Sequence, residues 1–488
     1  MFNRRSAGVL LHPTSLPGPC SSGDIGHSTY RFIELLHHCG IKVWQMLPLG
    51  PTHEDRSPYQ CLSVHAGSPM LISLDWLVDH GWLNLADVEL EPTDPHYRSR
   101  GLVKAKEGFD RQADKQWLTR LDSFRERHQE WLDDYALYVA LKQKYHGQPW
   151  YEWPQKLAQR QPEAIAECGE QLSEAVAQVI FEQFIFFTQW QEGREYAARH
   201  DVALFGDMPI FVAHDSADVW ARRNNFLLNE EGEMSYVAGV PPDAFSDTGQ
   251  RWGNPLYDWG YMSEDGFDWW KGRITTQLAL FDLIRIDHFR GLEACWMIPA
   301  TEETAMNGRW QKVPGEAMLS ALFECFPHLP LVAEDLGVIT DEVVELKNRF
   351  HLPGMKVLQF AFDGNTSNPH LPHHCYCHDL LYTGTHDNDT TLGWINSEHG
   401  YNRDFFNAYA ACDGLLPEEK AIALIRMAIA SVSFLCVIPM QDLLMLDTEA
   451  RMNTPGTVGN NWQWRFEWQQ VRPELLETVK HYIYLYQR

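Results

Sequence analysis

Three acidic residues each follow a short apolar run. Asp287 ends FDLIRID (281–287), Glu334 lies in LVAED (331–335), and Asp387 ends LLYTGTHD (380–387). They are 47 and 53 residues apart, wide enough for at least one strand-and-helix unit between each pair. Runs of this kind read as buried parallel strands, and the functional side chains of a barrel emerge where its strands end. Acidic residues also close strands and cap the next helix without any chemical task. Three in series, with Arg285 and His386 beside them, argue for a site.

Clustered carboxyls suit two chemistries. One is binding of a hard cation such as Mg²⁺ or Ca²⁺. The other is glycosyl transfer, in which one carboxylate attacks the anomeric carbon and a protonated one assists the leaving oxygen. Arg285 stands two residues before Asp287, on the same face of an extended strand. Its fixed charge keeps Asp287 ionised, as a nucleophile requires, and weakens a cation site, which favours the sugar chemistry. A second cluster, His373-His374-Cys375-Tyr376-Cys377-His378, has metal-binding residue types. It lacks the separated partner pair of a zinc site and reads as a loop, so no metal and no cofactor are expected.

The elements that must position these residues are legible as eight apolar runs: 8–11, 41–47, 201–210, 281–287, 331–335, 355–363, 380–387 and 433–442. Helical periodicity fills most of the gaps, as in Asp341–Phe350 and in Leu416–Phe434, whose Glu418 and Glu419 stand in a first turn. Alternating strands and helices make the chain α/β, and eight of each predict a closed (β/α)8 TIM barrel. An open doubly wound sheet is the alternative, but no Gly-x-Gly-x-x-Gly follows the first run. A bare barrel takes about 250 residues, so the 488 residues leave room for insertions in one catalytic barrel spanning 1–488. A mainly helical subdomain is expected at about 51–200. A Pro-, Gly- and Trp-rich lid-loop region is expected at about 222–275.

Composition narrows the partners. Asp and Glu outnumber Lys and Arg by 66 to 40, a net charge of −26 that disfavours nucleic acid and anionic membranes. No apolar run reaches membrane length, and His12 and Pro13 interrupt the opening before a signal-peptide core develops; a cytoplasmic protein is expected. The ten cysteines have no framework spacing and read as reduced thiols. Nineteen Trp suit either an aromatic core or stacking on sugar rings.

Eight motifs in order give the chain a strong family likeness. They are GVLLHPTSLPG (8–18), SPYQ (57–60), GDMPIFVAHDSADVWA (206–221), GVPPDAFSDTGQRWGNPLY (239–257), RIDHFRG (285–291), AEDLGVIT (333–340), YTGTHDNDTTLGW (382–394), and RMNTPGT with a following NW (451–462). The chain resembles the amylomaltases, 4-α-glucanotransferases or disproportionating enzymes, in their short form. The resemblance implies that Asp287 is the nucleophile, Glu334 the general acid and base, and Asp387 the residue that holds sugar hydroxyls in the transition state. It implies that Arg285 and His386 orient the donor, that Tyr59 and Asn461 contact sugar subsites, and that Asp243 and Trp252 belong to a lid over the acceptor. Malto-oligosaccharides, glucose and α-1,4-glucans would be the substrates of a monomer or weak homo-oligomer. Retention of the linkage would require Asp287 and Glu334 about 5–5.5 Å apart. Departures are Ser68 and Met70, where the family usually has Asn and Leu, and Cys295 at a commonly aromatic position.

The residues alone reach a retaining enzyme acting on α-glucan, and the resemblance supplies transfer. A retaining hydrolase of the α-amylase type is the alternative among enzymes. A silent glucan-binding protein would not need the three carboxyls together, and a metal-dependent barrel enzyme would lose activity to a chelator.

Overall fold

The computed structural model describes residues 4–242, 246–397 and 400–488. Each apolar run overlaps a strand of one parallel sheet, the first strand beginning two residues ahead of its run. These are β1 (Ser6–Leu10), β2 (Val43–Gln45), β3 (Ala203–Met208), β4 (Leu283–Ile286), β5 (Leu331–Ala333), β6 (Met355–Val357), β7 (Leu380–Tyr382) and β8 (Leu435–Pro439). Each strand lies beside its neighbour in sequence, in the order β6-β7-β8-β1-β2-β3-β4-β5. The seam between β5 and β6 is bridged where Ala333 N–H donates to Pro353 O at 2.9 Å and Met355 N–H donates to Asp335 Oδ1 at 2.7 Å. This is a (β/α)8 barrel. A doubly wound sheet would reverse its strand order part-way across.

The two-residue period of the strands sorts their side chains. Val43, Phe205, Leu283, Val332, Val357, Leu380, Leu435 and Val437 fill the barrel interior. Their neighbours Trp44, Leu204, Ile284, Leu331, Leu381 and Cys436 pack outward against the helices. The same parity carries four polar residues inward above that apolar plug: Asp207 follows Phe205, Arg285 and Asp287 follow Leu283, and Glu334 follows Val332. Both faces of the sheet are buried, so the strands read as continuous apolar runs without alternation.

Between β2 and β3 the chain forms helices at Leu74–Asp79, Tyr97–Gln112, Lys115–His128, Leu132–Lys144, Pro162–Gln171 and Ser173–Arg199. The last of these grips the segment after β2 through two buried glutamines. Gln183 exchanges hydrogen bonds with Gly67 N–H and C=O, each at 2.9 Å. Gln189 does the same with Ser73, at 2.8 and 3.0 Å. Gly67 has to be glycine here, because a Cβ would collide with the Phe186 ring. Met70 C=O accepts from the buried Arg98 guanidinium, so the departures at Ser68 and Met70 fall where the inserted helices meet the barrel.

The lid-loop region expected at about 222–275 contains two strands. Tyr236–Val240 and Gln250–Pro255 pair antiparallel, and Ala294–Pro299 and Arg309–Lys312 extend them into a four-stranded sheet. Its strand-forming character was hidden because QRWGNP carries Gly and Pro with no β-branched residue, and RWQK is exposed along its whole length. Cys295 is buried within this sheet, opposite Gln311. All ten cysteines are unpaired, and six of them are buried. Trp44, Trp150, Trp220 and Trp270 are fully buried, so much of the Trp content belongs to the core. Among the described residues no helix is long and apolar enough to cross a membrane.

Candidate active site

The ends of β4 and β5 bring two carboxyls together through their main chains. Asp287 N–H donates to Met208 O and Glu334 N–H to Ile286 O, each at 3.0 Å, extending the parallel ladder just past the strands. Glu334 Oε2 accepts the N–H of His288 at 2.7 Å, and its Oε1 accepts the N–H of Leu336 at 2.9 Å. Asp287 is held differently: its Oδ1 lies 2.8 Å from Arg285 Nη2. Burial pushes both carboxyls above their ordinary range, and Arg285 pulls each back. The charge of Asp287 raises Glu334 further. Burial therefore outweighs the arginine at Asp287, where the sequence alone suggests simple ionisation. Of the two carboxyls, only Asp287 touches the guanidinium, so Asp287 gives up its proton first and Glu334 retains one.

Arg285 is itself anchored from behind. Its Nη1 donates to both oxygens of Asp207 at 2.7 Å, and Asp207 is almost wholly buried. Burial works against the arginine's charge, but Asp207 and Asp287 hold it charged. Tyr59 O–H donates to Asp207 Oδ2 at 2.8 Å, which leaves its oxygen to accept from His386 Nε2–H at 2.9 Å. Tyr59 has one proton to give, so its bond to Asp207 fixes the proton of His386 on Nε2. That nitrogen also lies 3.4 Å from Asp387 Oδ1, and the same oxygen accepts from Asn453 Nδ2 at 2.6 Å. One chain of polar contacts thus joins the mouths of β3, β4 and β7. Asp287 and Asp387 still keep 28% and 46% of their side-chain surface open, which leaves room for a ligand above them.

A family model described as 4-alpha-glucanotransferase matches residues 11–470. The 4-alpha-glucanotransferase of Thermus thermophilus is 47% identical over 481 residues, 96% of each chain. That of Synechocystis sp. is 43% identical over 501 residues, covering 100% of this chain and 99% of the other. Among solved structures, the amylomaltase from Streptococcus agalactiae in complex with acarbose superposes with a TM-score of 0.94 at 34% identity, covering 99% of this chain and 100% of that one.

The chain belongs to the 4-α-glucanotransferase family.

In this glucanotransferase Tyr59, Arg285, Asp287, Glu334, His386 and Asp387 all gather at the barrel mouth. Trp252 stands on the edge strand Gln250–Pro255, with its ring edge-on to His288 at 4.9 Å. Asn461 is committed to its own loop: its Oδ1 accepts from Thr454 N–H at 3.0 Å, and its Nδ2 donates to Thr457 O at 3.1 Å. Asp243 lies outside the described residues. In the 373–378 cluster, His373 bonds Tyr409 O–H, His374 bonds Thr366 C=O, and Cys375 turns inward. Among the described residues no group of three or more His, Cys, Asp or Glu could hold a metal ion.

Three glucanotransferase residues at the mouth escaped the sequence reading. Asp207 sits one residue from the end of β3, a signal as good as that of Asp287. Asn453 lies within RMNTPG, where no periodicity marks it. Trp462 completes a ring cluster with Tyr59 and His386, at centroid distances of 5.8 and 5.9 Å.

Proposed function

We propose that the protein moves 4-α-glucanosyl segments between malto-oligosaccharides, or onto glucose, with retention of the α-linkage. The observation that best supports this is the unequal setting of two neighbouring carboxyls. Asp287 is in contact with a guanidinium, whereas Glu334 is held by main-chain N–H groups alone. In the first step a carboxylate oxygen of Asp287 attacks the anomeric carbon. The glycosidic C–O bond breaks, and Glu334 gives its proton to the departing oxygen. The shortened glucan leaves. In the second step Glu334 takes the proton of an acceptor hydroxyl, whose oxygen attacks the same carbon and releases Asp287.

The other residues of the mouth position the sugar. Asp387 takes hydroxyls of the reacting ring, and Arg285 and His386 hold the donor and its nucleophile in register. The rings of Tyr59 and Trp462 offer a stacking surface, and Trp252 forms the acceptor-side wall. Asp243 and Asn461 complete the acceptor and donor margins in this reading, Asn461 by shaping its loop. Water outnumbers any acceptor, so transfer depends on a sugar being bound and water excluded when Asp287 is glycosylated. No step calls for a metal or a cofactor. Ten unpaired cysteines support a cytoplasmic setting.

The test is incubation with maltotriose alone in the presence of a chelator, following chain lengths by chromatography and titrating reducing ends. The expected result is a ladder of longer and shorter oligosaccharides at constant reducing ends. Rising reducing ends without longer products would make the enzyme a hydrolase instead.

A further inference from the structure

His288 follows Asp287 directly, and its backbone is left-handed, with φ 51° and ψ 53°. Side chains rarely adopt this conformation; Asn, Asp and His do so more readily than most. The His288 N–H donates to Glu334 Oε2 at 2.7 Å, and the left-handed turn across His288 brings the next N–H, that of Phe289, round to Glu334 O at 3.1 Å. Two successive peptides after Asp287 thus hold both the side chain and the main chain of Glu334.

The ring of His288 packs away from the carboxyls. It lies over Gly291, where a Cβ would stand 3.0 Å from the imidazole, and it meets Trp252 edge-on at 4.9 Å. Its Nε2 is buried without a hydrogen-bond partner among the described residues. Burial, with Arg290 nearby, lowers its pKa to about 4, so the ring is neutral. A neutral ring with an unmet nitrogen is a poor filler for an apolar niche, and an aliphatic side chain would serve packing better.

We propose that His288 is a positioning residue: its left-handed main chain holds the Glu334 carboxyl, and its ring, braced by Trp252, holds that main chain. The inference rests on the reading of Glu334 as acid and base. It makes Trp252 more than a wall, because a sugar that presses on Trp252 acts on Glu334 through a single residue.

The test is the pH dependence of kcat/KM on maltotriose. The charged and titratable groups around Glu334 are Arg285 on β4 and Asp287 just past it, with Asp207 on β3 and His386 and Asp387 in the segment after β7 beyond them. None of these is altered. An N–H donated to a carboxylate favours the ionised form, so losing it moves the basic limb of the profile upward. His288→Val cannot keep a positive φ, and its basic limb is expected about one pH unit higher, with kcat about tenfold lower. His288→Asn tolerates the left-handed backbone but loses the braced ring, so its limb rises by less than that of His288→Val, about as far as in Trp252→Ala. Trp252→Ala moves the limb upward by less than His288→Val does.

An unmoved limb in His288→Val, or equal shifts in His288→Val and His288→Asn, would overturn the proposal. If His288→Val does not fold, Trp252→Ala decides, and an unmoved limb there overturns it as well. Glu334→Gln, assayed on a donor with a good leaving group, separates the two levels of inference. If the basic limb persists in Glu334→Gln, the fault lies with the acid assignment and not with His288.

Discussion

Arg285 Nη2 lies 2.8 Å from Asp287 Oδ1, while Nη1 of the same guanidinium contacts both oxygens of Asp207 at 2.7 Å. The arginine is therefore shared between a buried carboxylate that cannot reach a substrate and an open one that can. A planar fork suits this double duty, where a lysine would satisfy one partner at a time. The arrangement fixes the direction of Asp287 as well as its charge.

Asp287→Asn keeps the shape of the side chain and removes the carboxylate proposed to attack the anomeric carbon. Turnover of maltotriose is expected to fall by about 10³-fold or more, with an unchanged circular-dichroism spectrum and melting curve. Retained wild-type turnover would remove Asp287 from the nucleophile role.

Glu334→Gln should separate donors by leaving group. Maltotriose needs a proton at the departing oxygen and should be lost as a substrate. A glucosyl donor with an acidic leaving group needs none for the first step and should keep measurable release. Parallel loss of both donors would count against the acid role.

Asp207→Ala leaves Arg285 buried with only the partly open Asp287 as partner. Stripping one member from a buried ion pair costs about 3–5 kcal/mol. The variant should lose stability of that order in urea titration and lose activity with it. A stability change within about 0.5 kcal/mol, as at an ordinary surface position, would show that Asp207 does not anchor the arginine.

Far from the mouth, burial pushes the carboxyl of Glu182, on helix Ser173–Arg199, up to about 7 from the ordinary 4.5. The folded chain then holds a proton there that the unfolded chain releases. This contribution to stability is full below pH 4.5 and is lost as pH rises towards 7. Glu182→Gln should match the wild type in melting temperature near pH 4 and exceed it at pH 8. Equal melting temperatures at both values would show that the carboxyl ionises freely.

Trp252→Ala should raise the ratio of hydrolysis to transfer several-fold, because it opens the wall beside the glycosylated Asp287. The ratio is read from reducing ends against oligosaccharide products. An unchanged ratio would take Trp252 out of acceptor selection.

The barrel and its three carboxyls were readable because they obey local rules. A strand buried on both faces must be apolar throughout, and the first polar residues after it mark the mouth. Asp207 obeys the same rule and was missed only because it stands inside its strand instead of after it. The antiparallel sheet was illegible for a different reason. QRWGNP and RWQK have no strand signal of their own, and the two hairpins they belong to are joined only through the pairing of Tyr236–Val240 with Ala294–Pro299, on opposite sides of β4 in the chain. Asn461 shows the limit of reasoning from motifs. The residue is where the family pattern puts it, but its amide is spent on Thr454 and Thr457, which no one-dimensional pattern could reveal.

That antiparallel sheet is assembled from both sides of β4. Tyr236–Val240 and Gln250–Pro255 come before the strand, Ala294–Pro299 and Arg309–Lys312 come after it, and Tyr236–Val240 pairs directly with Ala294–Pro299. The sheet is therefore anchored in the chain on both sides of the strand that leads to Asp287, where a flap on one hinge would belong to a single insertion. The turn 454–461 is anchored differently: it is tied chiefly by bonds within itself and ends beside the rings of Trp462 and Tyr59, so the two parts of the mouth are held to the barrel unequally.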